Sequence, residues 1–197
     1  MDYKINNIIN GNEVTSSSKE TFKSVNPANT EDTLSEFPLA DKNDVQKAIK
    51  AAHEAFPDWA GTSAIKRADV LYNLIYLVQK NKDALARLIT REIGKTFLAA
   101  QKEVDAAVQA LKHFSGAANR ISGETIPANN PEAFTYTLKE PLGVVGAIAP
   151  FNFPLGIAVY KIAPAMLAGN TVVFKPAPDA SCISYELMKL FSRSRAS

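Results

Sequence analysis

The chain has 197 residues, 46% of them hydrophobic, with 22 Lys and Arg against 20 Asp and Glu for a formal net charge of +2. That is globular composition, and the charge balance leaves no electrostatic footing for nucleic acid or an anionic membrane. The single cysteine, Cys182, excludes an internal disulfide and fits a reducing, cytoplasmic setting.

The opening MDYKINNIINGNE is polar and mixed in charge, and reads as neither a signal nor a transit peptide. Within it, NNIINGNEV predicts a small hairpin, because Asn10-Gly11 supplies the two positive-φ positions of a tight turn. VNPANTED is turn chemistry: Pro27 fixes φ, while Asn26 and Asn29 can bond nearby backbone. Four helices follow. Asp41 can cap the first, with Val45, Ile49, Ala52 and Phe56 on one face and Pro57 at its end. The second spans about Thr62 to Gln79, with Leu71, Leu74, Ile75 and Val78 as its apolar stripe. The third covers Asp83 to about Glu92, with Leu85, Leu88 and Ile89 inward. Gly94 stops it, and Glu92-Ile93-Gly94-Lys95 reads as a C-cap followed by a favourable cation. The fourth runs from about Phe97 to Asn119 through Val104, Val108, Leu111 and Phe114.

From Ser122 the texture changes. SGETIPANNPEAF is rich in breakers, and Thr135–Leu138 alternates like a strand up to Glu140-Pro141. Val144–Ile148 is an all-apolar run, expected of a short strand covered on both faces. Leu155 to Leu167 is helical in composition, with Pro164 expected to bend or restart it, and Ala168-Gly169-Asn170 stops it. TVVFKPAP predicts a second strand ending at Lys175-Pro176, and SCISYELMKLF a further helix with Ser181 as a candidate cap. Pro141 to Tyr160 carries no charge over twenty residues, but Gly143, Gly146, Pro150, Pro154 and Gly156 break it. A strand, a turn and a helix start explain that stretch better than a membrane span. The order strand–helix–strand–helix argues for an α/β fold with a parallel, Rossmann-like sheet behind an N-terminal helical region.

Ligands of a parallel sheet gather beyond the carboxyl ends of its strands. Asn152 lies just past one such end, in PFNFP, where its amide can either stabilise developing charge on oxygen or bond its own turn. Lys175 ends the second strand and can face the same crevice or simply be solvated. Neither strand is followed by G-x-G-x-x-G, and no phosphate loop of the Walker type is present. His53 and His113 lie on predicted helices without partners at ligand spacing, so no metal site is expected. Cys182 starts a helix, where the dipole can lower a thiol pKa, but it has no nearby His and reads as structural.

NIINGNEV, VNPANTED, LITREIGKTFLAAQKEV, GETIP, EPLGVVGAIAPFNFPL and KIAPAMLAGNTVVFKPAP together resemble the N-terminal portion of the aldehyde dehydrogenase superfamily. The resemblance implies NAD- or NADP-dependent oxidation of a small-molecule aldehyde to an acid through a cysteine hemithioacetal and thioester. By position, Asn152 matches the family's oxyanion-binding amide. Ile148, Ala149, Pro150 and Phe151 match the strand end lying along the cofactor, and Lys175 the lysine on the adenine ribose. Pro178 stands where NAD-preferring members often carry Glu, leaving the choice between NAD and NADP open. Residues 123–141 match an arm that pairs with another subunit, implying a homo-oligomer in the full-length form. The expected divisions are then 1–122, the arm, a cofactor-sheet portion at 142–191, and an aberrant tail at 192–197. The family's nucleophilic Cys, general-base Glu and later Gly-rich turn match nothing here, so the catalytic domain is expected to be absent. The ending FSRSRAS departs from the family, and a one-base change of frame there would yield Phe-Arg-Glu-Ala-Gly-Leu; a genuine basic tail is the alternative. Such a chain is expected to be inactive alone and to expose an apolar, aggregation-prone edge at Val172–Phe174. A non-catalytic remnant that binds cofactor weakly or associates with a full-length subunit is the alternative function.

Overall fold

The computed structural model describes residues 3–195. Ala196 and Ser197, the end of the expected tail, lie outside them, as do Met1 and Asp2. Strands β2 (Asn7–Ile9) and β3 (Asn12–Val14) form the expected hairpin, with Asn10 and Gly11 at φ 50° and 77°. A second sheet was not anticipated. In it β1 (Tyr3–Lys4) pairs parallel to β5 (Asn29–Pro38), which pairs antiparallel with β4 (Thr21–Asn26). Register shifts between Ser24 and Asn26 break the two-residue period, which is why β4 and β5 read only as a turn. That turn behaves as expected: the Asn26 and Asn29 side chains accept from the N–H groups of Ala28 and Glu31.

Helix α1 (Lys42–Gly61) begins at Asp41 in a capping box with Asp44. Contrary to expectation it runs through Pro57, because Pro57 and His53, whose carbonyl loses its donor, are both at the exposed surface. Val45 and Ile49 are also exposed; α1 instead turns Ala48, Ala51, Ala52, Ala55 and Trp59 inward. Helices α2 (Ala64–Lys80) and α3 (Lys82–Ile93) follow their expected stripes, and Gly94 closes α3 in the left-handed conformation. Helix α4 (Phe97–Ser115) stops short of Asn119, which falls in a 3-10 turn at Ala118–Arg120.

The main core joins α2, α3 and α4 to the last part of the chain, where strand β8 (Val144–Ile148) leads into α5 (Pro154–Leu167), β9 (Thr171–Lys175) and α6 (Ser181–Ser194). Before it, β6 (Thr125–Ile126) and β7 (Thr135–Tyr136) form an exposed hairpin whose strands are shorter than the alternation suggested. Gly123 is required there, since a Cβ would fall 1.7 Å from the Thr137 carbonyl oxygen. β8 and β9 pair in parallel. β8 is not covered on both faces, for Gly146 and Ile148 are exposed while Ala147 is buried. Helix α5 continues as one element through Pro164. Ser181 does not cap α6: it is the first helical residue, and its hydroxyl donates to the Pro178 carbonyl at 3.0 Å. Helix α6 carries on through Ser192 and Arg193 to Ser194, which is buried and whose carbonyl accepts from Asn73, so the expected tail is helical in that part. The edge of β9 away from β8 lines an open cleft of about 710 Å3 between α1 and α6.

Candidate functional site

The register of β8 and β9 places Ile148 beside Lys175, and the Ala149 N–H donates to the Lys175 carbonyl at 3.2 Å. One carboxyl edge therefore gathers Ile148, Ala149, Pro150, Phe151, Asn152 and Lys175. Pro178 lies three residues on, at the start of a 3-10 turn (Pro178–Ala180) leading into α6. Ile148 is 66% exposed, and Pro150, Phe151, Asn152, Lys175 and Pro178 are exposed as well. Ala149 differs: its methyl group belongs to the core, so it shapes the strand end rather than presenting a side chain.

Asn152 does not spend its amide on its own turn. Asn26, Asn29 and Asn130 each accept from an N–H two residues on, but no hydrogen bond to the Asn152 side chain is made among the described residues. The Lys175 ammonium likewise pairs with no carboxylate among the described residues. The edge thus presents an amide and a cation unpaired among the described residues, together with the exposed apolar side chains of Ile148, Pro150 and Phe151.

Beneath this edge, buried polar groups hold the backbone. Helix α5 begins at Phe153, which provides no side-chain cap, and Pro154 at its first position has no N–H. The next two N–H groups, of Leu155 and Gly156, both donate to Glu103 Oε1, at 3.0 and 3.3 Å. The other oxygen of Glu103 pairs with Lys95 Nζ at 2.5 Å. Lys95 also sits 3.8 Å from the Phe153 ring centroid. Helix α6 is built alike: its cap position is Ala180, and the N–H groups of Cys182 and Ile183 donate to the buried Glu92 at 2.6 and 2.9 Å. Ser24 Oγ also donates to Glu92, at 3.0 Å. Burial pushes the Glu92 carboxyl above its ordinary pKa against the pull of these bonds.

Glu92 and Lys95 thus do more than end a helix, and Glu103 was not anticipated. A signal existed, since Glu103 lies in the inward stripe with Ala100, Val104 and Ala107, and Glu92 follows Leu85 and Ile89 at helical spacing. Two further braces were missed. Buried Asn170 accepts from Leu142 and Gly143 at 2.7 and 3.0 Å and donates to the Ala165 carbonyl, which sets the entry to β8. Arg67 donates to the carbonyls of Leu167, Ala60 and Thr62, placing its charge at the C-terminal ends of α5 and α1. Its burial moves its pKa downward.

Cys182 is 5% exposed, and burial, then the Glu92 charge, pushes its thiol up to about 12. It is a protonated core group at neutral pH. His53 and His113 are exposed. No cluster of three His, Cys, Asp or Glu suited to a metal occurs among the described residues, and no helix among them is long and apolar enough to cross a membrane.

The model of the aldehyde dehydrogenase family matches residues 14–195. The 2,5-dioxopentanoate dehydrogenase of Saccharolobus solfataricus is 39% identical over 177 residues, 90% of this chain and 37% of that protein. The α-ketoglutaric semialdehyde dehydrogenase of Bacillus subtilis is 35% identical over 188 residues, 95% of this chain and 38% of its own. Among solved structures, an E. coli NADP-dependent enzyme superposes with a TM-score of 0.94 at 34% identity, covering 98% of this chain and 40% of that one. The chain therefore spans well under half the length of the relatives it matches.

Proposed function

Because the chain belongs to the aldehyde dehydrogenase family, we propose that it contributes the oxyanion donor and part of the nucleotide site to an NAD- or NADP-dependent oxidation of a small aldehyde. The observation that carries this reading is the free amide of Asn152 at the carboxyl end of β8. When a thiolate adds to an aldehyde carbon, the carbonyl electron pair moves to oxygen, and an Asn152 N–H donated to that oxygen stabilises it. Bound NAD(P)+ supplies the acceptor for the hydride that then leaves that carbon, and water hydrolyses the resulting thioester to the acid. Lys175, with no carboxylate partner among the described residues, is open to ribose hydroxyls. Ile148 and Phe151 offer apolar surface for the cofactor to lie along, with the backbone of Ala149 and Pro150 between them. Pro178 brings no carboxylate that would repel a 2′-phosphate, so NADP is accommodated as well as NAD.

The attacking thiolate is not Cys182, which is buried and protonated. That observation favours a second, compatible reading: the 197-residue chain alone does not turn aldehyde over, and associates with a full-length subunit through the exposed hairpin at 123–141, where Phe134, Tyr136 and Leu138 face outward. The test is a fusion of residues 1–191 to the unmatched C-terminal remainder of the Bacillus subtilis relative. The fusion is expected to reduce NAD(P)+ in the presence of an aldehyde while the 197-residue chain does not. Turnover by the chain alone, or a folded fusion that binds NAD(P)+ without oxidising any aldehyde, contradicts the proposal.

A further inference from the structure

We infer that Lys95 and Glu103 are positioning residues that hold Asn152 in place from below. Asn152 immediately precedes Phe153, the residue at which α5 starts. Every N–H in the first turn of that helix is accounted for. Pro154 has none, Leu155 and Gly156 are taken by Glu103, and Ile157 makes the first intrahelical bond, to the Phe153 carbonyl at 2.9 Å. The helix start is therefore fastened to α4 through one carboxylate whose side chain is 1% exposed. The cation that neutralises that carboxylate is the same one that packs on the Phe153 ring. Phe153 is thus held by its ring from Lys95 and by its backbone through α5. On the other side, Ala149 is pinned to the Lys175 carbonyl. The exposed stretch Pro150–Phe153 is suspended between two fixed points, with Asn152 next to the one made by Lys95 and Glu103. An oxyanion donor acts without reorganisation only if its backbone is fixed in advance, and this pair is the device that fixes it.

The catalytic consequence rests on the reading of Asn152 as an oxyanion donor; the mechanical one does not, so the two are measured separately. Backbone order is read by 15N relaxation on the 197-residue chain. In the wild type the amides of Phe151, Asn152 and Phe153 should show order parameters near the rigid value of about 0.85. Lys95→Met, which keeps the stem and removes the charge, should drop those three below about 0.6 while core amides such as Leu71 and Leu111 stay unchanged. Lys95→Arg should restore them. Glu103→Gln guards against a misfolded Lys95 variant: its remaining carbonyl oxygen still accepts from Leu155 and Gly156, but the ion pair is gone, and the same loosening is expected. If 151–153 stay rigid in both Lys95→Met and Glu103→Gln, or if order falls evenly along α4 and α5, the inference is overturned, because the pair then only stabilises the fold. In the fusion protein, Lys95→Met should lower kcat roughly 10- to 100-fold at unchanged KM for the aldehyde, with Lys95→Arg restoring it. A fusion whose rate is indifferent to Asn152→Ala would sink the oxyanion reading and leave the relaxation result standing.

Discussion

The starts of α5 and α6 solve one problem in two ways. Each helix follows a strand end that carries candidate site residues, Asn152 in one case and Lys175 with Pro178 in the other. Each starts at a residue that cannot cap it, Phe153 or Ala180. In both, a buried glutamate from a distant helix accepts from the N–H groups of the second and third helical positions. The difference lies in what else the glutamate touches. Glu103 has a lysine, and that lysine reaches the exposed loop. Glu92 has a hydroxyl and, among the described residues, no cation, and burial raises its pKa. A carboxylate that must only hold a helix can do without a cation, whereas the one beneath Asn152 is tied through its lysine to the part that must stay in place.

The largest expected effect breaks this comparison most directly. Glu103→Ala leaves two buried N–H groups unpaired and strands Lys95, and should cost about 4 kcal/mol. Glu92→Ala leaves two N–H groups and the Ser24 hydroxyl unpaired but strands no cation, and should cost less, about 3 kcal/mol. Urea unfolding of both variants decides the order; if Glu92→Ala is the costlier, the lysine contributes nothing. A pH titration of stability sharpens the contrast. Because the folded-state pKa of Glu92 is raised, its contribution is fully present below its unfolded value near 4.5 and is lost as pH rises through the folded value. Glu92→Gln should flatten that decline, and an unchanged profile would mean the carboxyl is not the group responsible.

Helix α1 supplies the opposite case, a helix capped by its own residues. Asp44 is buried, and although desolvation opposes it, bonds from Ser16, Ser17 and the Asp41 N–H bring its carboxyl down to about 2. Its contribution is therefore full above its unfolded value of 3.8 and is lost as pH falls through about 2, amounting to about 2 kcal/mol. Asp44→Asn should remove that acid-side loss, and acid unfolding curves check it. The smallest effect belongs to the exposed edge: Lys175→Ala should change stability by less than about 0.5 kcal/mol, since that ammonium has no carboxylate partner among the described residues to lose.

What was legible follows the reach of the interactions. α2, α3, the Asp41 cap, the Asn10-Gly11 turn and the β8 and β9 runs rest on periodicity and local backbone chemistry, and each lies where its residues suggest. β4 and β5 escaped because a bulge breaks their alternation. The position of Asn152 beyond a strand end was readable; that its amide stays unspent was not. Nor were its supports, since Glu103 meets Leu155 across 52 positions and Glu92 meets Cys182 across 90. A glutamate in an apolar stripe announces a buried partner without naming it.

The most direct test of the central claim is the rate of the fusion protein carrying Asn152→Ala. If the amide holds the oxyanion, kcat should fall by about 10²- to 10³-fold while affinity for NAD(P)+ is retained. A rate within about threefold of the parent fusion would contradict it, for such a donor cannot be removed at so small a cost.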